Sequence, residues 1–132
     1  MLKYPKVLLL SSGAAEADVL QETLSEHVIL TRAKNMHELQ VLLESGNYDV
    51  LFCSRSFREG IWDDALAEIQ QRYPNIAIII LSRVAGEEEW IKALAAGAFD
   101  LLIPPYEQRT LLAVLEHATA SRDARVIRNI AV

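Results

Sequence analysis

The chain has 132 residues, 52% hydrophobic and 23% charged, with a formal net charge of −5 and one cysteine. That length suits one domain with a real core, and the composition excludes a disordered chain. No apolar run approaches the ~20 residues of a membrane span, no secretory leader is visible, Cys53 has no disulfide partner, and the negative charge opposes a nucleic-acid backbone. The expectation is a cytoplasmic domain with no direct nucleic-acid partner and no membrane contact.

Lys6-Val7-Leu8-Leu9-Leu10 predicts a buried strand, with Ser11-Ser12-Gly13 as its exit turn. Residues 14–25 carry Ala15, Val19, Leu20 and Leu24 at helical spacing. Val28-Ile29-Leu30-Thr31 predicts a second strand. Asn35 caps the next helix, with Glu38 three residues on as in a capping box; Leu39, Leu42 and Leu43 form its apolar stripe, and Ser45-Gly46-Asn47 stops it. Tyr48-Asp49-Val50-Leu51-Phe52-Cys53-Ser54 lacks polar alternation, so it reads as the central strand of a parallel sheet covered on both faces. Residues 55–62 read as a polar loop, and Asp63 and Asp64 open a helix to residue 73 with Leu66, Ile69 and Tyr73 on one side.

Pro74-Asn75 launches the most apolar strand, Ile76-Ala77-Ile78-Ile79-Ile80-Leu81-Ser82. Glu87-Glu88-Glu89 then occupies the first turn of a helix to Ala96, where carboxylates complement the positive dipole end, and Gly97 stops it. Residues 99–103 form a fifth strand and Pro104-Pro105 breaks it. A last helix covers 107–121, with Leu111, Leu112, Val114 and Leu115 apolar. Five strands alternating with helices specify an α/β fold with a doubly wound parallel sheet. The domain is expected over 1–121. Residues 122–132, with Val126, Ile127 and Ile130 apolar, read either as a helical extension or linker toward an output domain or as a frayed tail.

Four stretches resemble the receiver domain of two-component response regulators: Lys6 to Leu10, Tyr48 to Cys53, Ile78-Ile79-Ile80-Leu81-Ser82, and Gly97-Ala98-Phe99-Asp100-Leu101-Leu102 followed by Pro105-Tyr106. The resemblance implies a flavodoxin-like, CheY-like fold with strand order 2-1-3-4-5. In that family an acidic pair after the first strand helps hold Mg²⁺, an Asp ending the third strand accepts a phosphoryl group, and a Lys before the final proline contacts it. The matching positions here are Ser11 and Ser12, Ser54, and Pro104. Ser82 keeps the family's Thr/Ser position, and Leu101 replaces its aromatic switch residue.

Mg²⁺ needs oxygen ligands, usually with one or two carboxylates, so the serines make a poor metal site. A serine nucleophile needs a base, and none is apparent beside Ser54. His27, His37 and His117 read as surface or boundary residues, and Cys53 as an inert core thiol. With Arg55 and Arg83 just after two strand ends, the serines read as a remnant cleft able to hold an anion without metal. The simpler reading is that they close turns and cap helices. By resemblance, Trp90, Ile91, Leu94, Leu101, Tyr106 and Arg109 lie on a face used for dimers and output contacts; alternatively Trp90 and Leu94 pack on the sheet.

The leading expectation is therefore a pseudo-receiver: a signalling module, not an enzyme, without cofactor or metal, acting through contacts with a protein partner or its own output domain in transcription regulation. A homodimer through the fourth helix, fifth strand and fifth helix is a further expectation. The alternatives are a phosphorylation-independent sensor of a small anionic ligand and a small flavodoxin-like enzyme.

Overall fold

The computed structural model describes residues 4–11, 13–57, 60–83 and 86–131. In chain order the elements are β1 (Lys6–Leu10), α1 (Ala14–Leu24), β2 (Ile29–Ala33), α2 (Met36–Ser45), β3 (Val50–Ser54), β4 (Ser56–Phe57), β5 (Gly60–Ile61), α3 (Trp62–Arg72), β6 (Ala77–Leu81), α4 (Glu87–Ala95), β7 (Asp100–Leu102) and α5 (Gln108–Ala131). The main sheet has five strands in the order β2-β1-β3-β6-β7, and every neighbouring pair is parallel. This is the expected doubly wound sheet, with the expected strand order.

Residues alternate between its two faces because successive side chains of a strand point oppositely. Val7 and Leu9 of β1 and Val50 and Phe52 of β3 turn toward α1 and α5, where Leu20, Leu24, Leu111 and Leu115 meet them. Leu8, Leu10, Leu51 and Cys53 face the opposite layer, with Leu39, Leu43, Leu66, Ile69 and Ala93 from α2, α3 and α4. Both faces of the central strands are thus dry, which is why β3 and β6 read as continuous apolar runs. Each fully buried aliphatic side chain contributes on the order of 1.5–3 kcal/mol of transfer free energy. Burial alone pushes the Cys53 thiol far above its ordinary range. That is the behaviour of a packing residue rather than a nucleophile.

The cap expected at α2 is present. The Asn35 side chain accepts the Glu38 N–H at 2.9 Å, and the Glu38 carboxylate accepts the Lys34 N–H at 2.9 Å. Asn35→Ala removes the first of these bonds and is expected to lower the unfolding free energy by about 1 kcal/mol, read from the urea midpoint at unchanged slope. At α3 the Asp64 carboxylate accepts the Ile61 N–H at 3.3 Å, so Asp64 is the member of the acidic pair that caps the helix.

Four local expectations are corrected. Residues 55–62 are not a plain loop: β4 and β5 pair antiparallel in a short hairpin, closed by the Trp62 N–H on the Arg55 carbonyl at 3.1 Å. The Trp62 ring is buried in the core, so α3 begins one residue earlier than expected. On α1, Ala15 and Val19 are exposed, and the buried stripe is Ala17, Leu20 and Leu24. The second strand starts at Ile29, and Val28 instead packs in the core while its N–H bonds Leu24 at the end of α1. The last helix continues to Ala131. The side chains of 122–131, on which the expected amphipathic extension rests, lie outside those described. No helix among the described residues is long and apolar enough to cross a membrane.

Candidate functional site

Strand order reverses between β1 and β3, and at such a switch the connections part to opposite faces, leaving a crevice beyond the strands' carboxyl ends. Ser11 follows β1 there, and Ser54 ends β3. Both are 7% exposed. Ser82, just past β6, is 1% exposed, and its N–H bonds the Leu102 carbonyl at 2.9 Å. Ser12 lies outside the described residues.

The side chain that organises this crevice is Glu16, in the first turn of α1. Its Oε1 accepts the Ser54 hydroxyl at 2.5 Å and the Ser11 hydroxyl at 3.2 Å. Its Oε2 accepts the Tyr106 hydroxyl at 3.1 Å, from the segment between β7 and α5. Four segments therefore meet on one carboxylate. Hydrogen bonds to an ionised group contribute about 1.5–3 kcal/mol each, and the amino-terminal end of α1 favours the negative charge. Burial, then the Glu16 charge and hydrogen bond, push the Tyr106 hydroxyl well above its usual range, with Arg83 acting in the opposite direction. Tyr106 therefore stays a proton donor across the physiological range.

The expectation that Ser54 has no base at hand is overturned by this contact. Glu16 was legible only as an acidic residue in a helix's first turn. The signal that points to it is topological: the first turn after a strand in a doubly wound sheet overhangs the carboxyl ends of neighbouring strands, so an acid there reaches the next strand's tip. Ser11 also acts locally, accepting the Gly13 N–H at 3.1 Å. The turn-closing reading holds for this hydroxyl alongside the cleft reading.

Other expected cleft residues are placed elsewhere. Arg55 pairs with Glu89 on α4 at 3.1 Å, tying the end of β3 to that helix rather than offering a donor to the serines. Pro104 is exposed. Arg83 is exposed, near enough to Tyr106 for its charge to be felt there. On the flank, Trp90 is 44% and Ile91 51% exposed, Leu94 and Leu101 are half-buried and Arg109 is exposed; Ile103, just past β7, is also exposed. The Trp90 ring does not enter the core: its indole N–H reaches the Asp100 carboxylate at 3.2 Å, and Ala93 is the buried residue of α4.

The donor set does not fit Mg²⁺. Among the described residues one carboxylate, Glu16, meets the serine hydroxyls; both its oxygens are engaged, and the hydroxyls around it aim protons rather than lone pairs at the centre. Among the described residues there is no group of three or more His, Cys, Asp or Glu side chains able to hold a metal ion. Two open clefts, of 530 and 440 Å³, lie at the opposite, amino-terminal end of the sheet and share Pro74 and Ile76. They are remote from the serines.

The strand order and the rim crevice define an open doubly wound α/β domain of the flavodoxin-like type. Residues 7–116 match the response regulator receiver domain family, and the chain belongs to it. Response regulator protein PilR of Pseudomonas aeruginosa is 30% identical over 103 residues, covering 77% of this chain but only 23% of that protein. The receiver domain of an HD domain-containing protein from Pseudomonas fluorescens Pf-5 superposes with a TM-score of 0.86 at 25% identity, covering 97% of this chain and 96% of that one. The receiver domain of Francisella response regulator 1452 superposes with a TM-score of 0.80 at 24% identity, covering 89% and 98% of the two chains.

Proposed function

We propose that this receiver domain signals without phosphorylation of an aspartate, through standing contacts with a protein partner or with an output domain of the same regulator. The observation that carries the reading is the tip of β3. Ser54 stands where an acyl phosphate needs a carboxylate, and its hydroxyl is donated to Glu16. The flank formed by Trp90, Ile91 and Ile103, with Leu94, Leu101 and Arg109, is the contact face, because exposed aromatic and aliphatic groups there gain most from desolvation. It serves either a second copy or the output partner. The domain is not an enzyme, and it binds neither nucleic acid nor membrane directly. The anion-sensor reading is less favoured for the chain as it stands, because a carboxylate of the protein already engages the hydroxyls.

The test is incubation with Mg²⁺ and acetyl phosphate, and separately with beryllofluoride. No phosphoryl adduct in the intact mass and no saturable amide shifts at Ser11, Ser54 or Ser82 are expected; an adduct or a saturable shift overturns the reading. In the same preparation, Trp90→Ala should weaken self-association or partner capture, with the fold unchanged by circular dichroism.

A further inference from the structure

We propose that Glu16 is a tethered occupant of an oxyanion seat, and that it clamps the start of α5 to the tip of the central strand. The inference rests on the reading that no aspartyl phosphate forms here, and deepens it by naming what takes the place of an external anion.

The seat is built from three hydroxyl donors that have no local reason to meet. Ser11 is five residues from Glu16, Ser54 is 38 away and Tyr106 is 90 away. Each comes from a different connection of the sheet, and each gives its proton to the same carboxylate at 2.5 to 3.2 Å. Donors on both oxygens of a planar anion are what a binding site for a small oxyanion provides. The Arg83 charge felt at Tyr106 and the amino-terminal end of α1 add positive potential. The anion differs from a diffusible ligand only in being attached to the chain, so it occupies the seat at all times. Tyr106 immediately precedes α5 across Glu107, so its bond to Glu16 fixes where that helix starts. In turn the Glu107 carbonyl accepts the Leu111 N–H at 3.0 Å, and Leu111 is fully buried. The clamp thus runs from Ser54 through Glu16 and Tyr106 into the core side of α5, next to the proposed contact face.

Removing the tethered carboxylate should leave the seat open to a free one. In Glu16→Ala the deleted carboxyl group is matched by formate, the smallest carboxylate. Formate should therefore stabilise this variant saturably. At ten times its dissociation constant, the folded-to-unfolded ratio should rise about elevenfold. Wild type and Glu16→Gln, whose seats are filled, should respond to formate no more than to chloride at equal ionic strength. In amide spectra of Glu16→Ala, residues 106–111 should leave their wild-type positions and return toward them as formate is added.

Equal responses of Glu16→Ala to formate and chloride would overturn the proposal, as would wild-type positions for 106–111 before any formate is added. Should Glu16→Ala not fold, Glu16→Gln and Tyr106→Phe carry the test: both should displace the same amides at residues 11–17 and 106–111, and non-overlapping sets would refute the clamp. Phosphoryl uptake by wild type from acetyl phosphate defeats the functional reading instead, a result separable from the formate titration.

Discussion

Ser54→Asp, the substitution that returns a carboxylate to the tip of β3, is expected to lower the unfolding free energy by about 3 kcal/mol at neutral pH. Two effects add. The hydroxyl that donates to Glu16 at 2.5 Å is lost, and a hydrogen bond to a charged group contributes about 1.5–3 kcal/mol. In its place a second carboxylate faces the first in a site where the replaced side chain is only 7% exposed. Two carboxylates so close cannot both ionise freely, so one must hold a proton, and each unit by which its pKa is raised costs about 1.4 kcal/mol above that pKa. The sign with pH follows. A carboxyl whose folded pKa is raised above its unfolded value, about 4, makes its full favourable contribution below that value and loses it as pH rises through the folded pKa. The deficit relative to wild type should therefore be smallest near pH ~4 and grow toward neutrality.

Adding Glu16→Gln to Ser54→Asp should recover most of the repulsive part. The decisive measurement is urea unfolding of wild type, both single variants and the double variant at acid and neutral pH. Ser54→Asp as stable as wild type at neutral pH would show that Glu16 does not hold this position. Restoration of Mg²⁺ binding by Ser11→Asp, Ser12→Asp and Ser54→Asp together is accordingly expected to be stronger with Glu16→Gln than without it, read by calorimetric titration.

Gly97→Ala is the other large effect, expected to cost about 2–3 kcal/mol. Gly97 has φ +108°, in the region L residues rarely adopt, where a Cβ costs roughly 1–2 kcal/mol. That Cβ would also collide with the Gln70 amide nitrogen, which donates to the Ala96 carbonyl at 3.0 Å. The Gln70 side chain is flexible and will swing aside, but only by giving up this bond, worth about 1 kcal/mol. Gln70→Ala alone should cost that smaller amount. The double variant should cost less than the sum, because the contact is lost once in either background. Strict additivity, measured by chemical unfolding, would rule out the collision as a contributor.

Much of the domain was legible without coordinates. Local rules bear on local features: continuous apolar runs mark the strands, Asn35 and Glu38 mark a helix start within four residues, and Gly97 marks a helix stop. The alternation of strands and helices then leaves few topologies, and the observed order is the one the receiver resemblance implied. Ser54 at the carboxyl end of the central strand follows from the same reasoning, since a strand's direction fixes which end faces the crevice. Which hydroxyls and which carboxylate meet there does not. Val19 and Ala17 fit a helical stripe about equally well, and only the angle at which α1 lies on the sheet decides that Ala17 turns inward and Glu16 overhangs β3. Side-chain hydrogen bonds spanning 38 and 90 residues carry no periodic trace in a sequence. The sequence by itself determined the parallel sheet and the serine at the end of its central strand, and the receiver resemblance added the strand order. Only the tertiary structure decided that Glu16 and Tyr106 close over that serine, because through-space partners are chosen by packing and not by spacing along the chain.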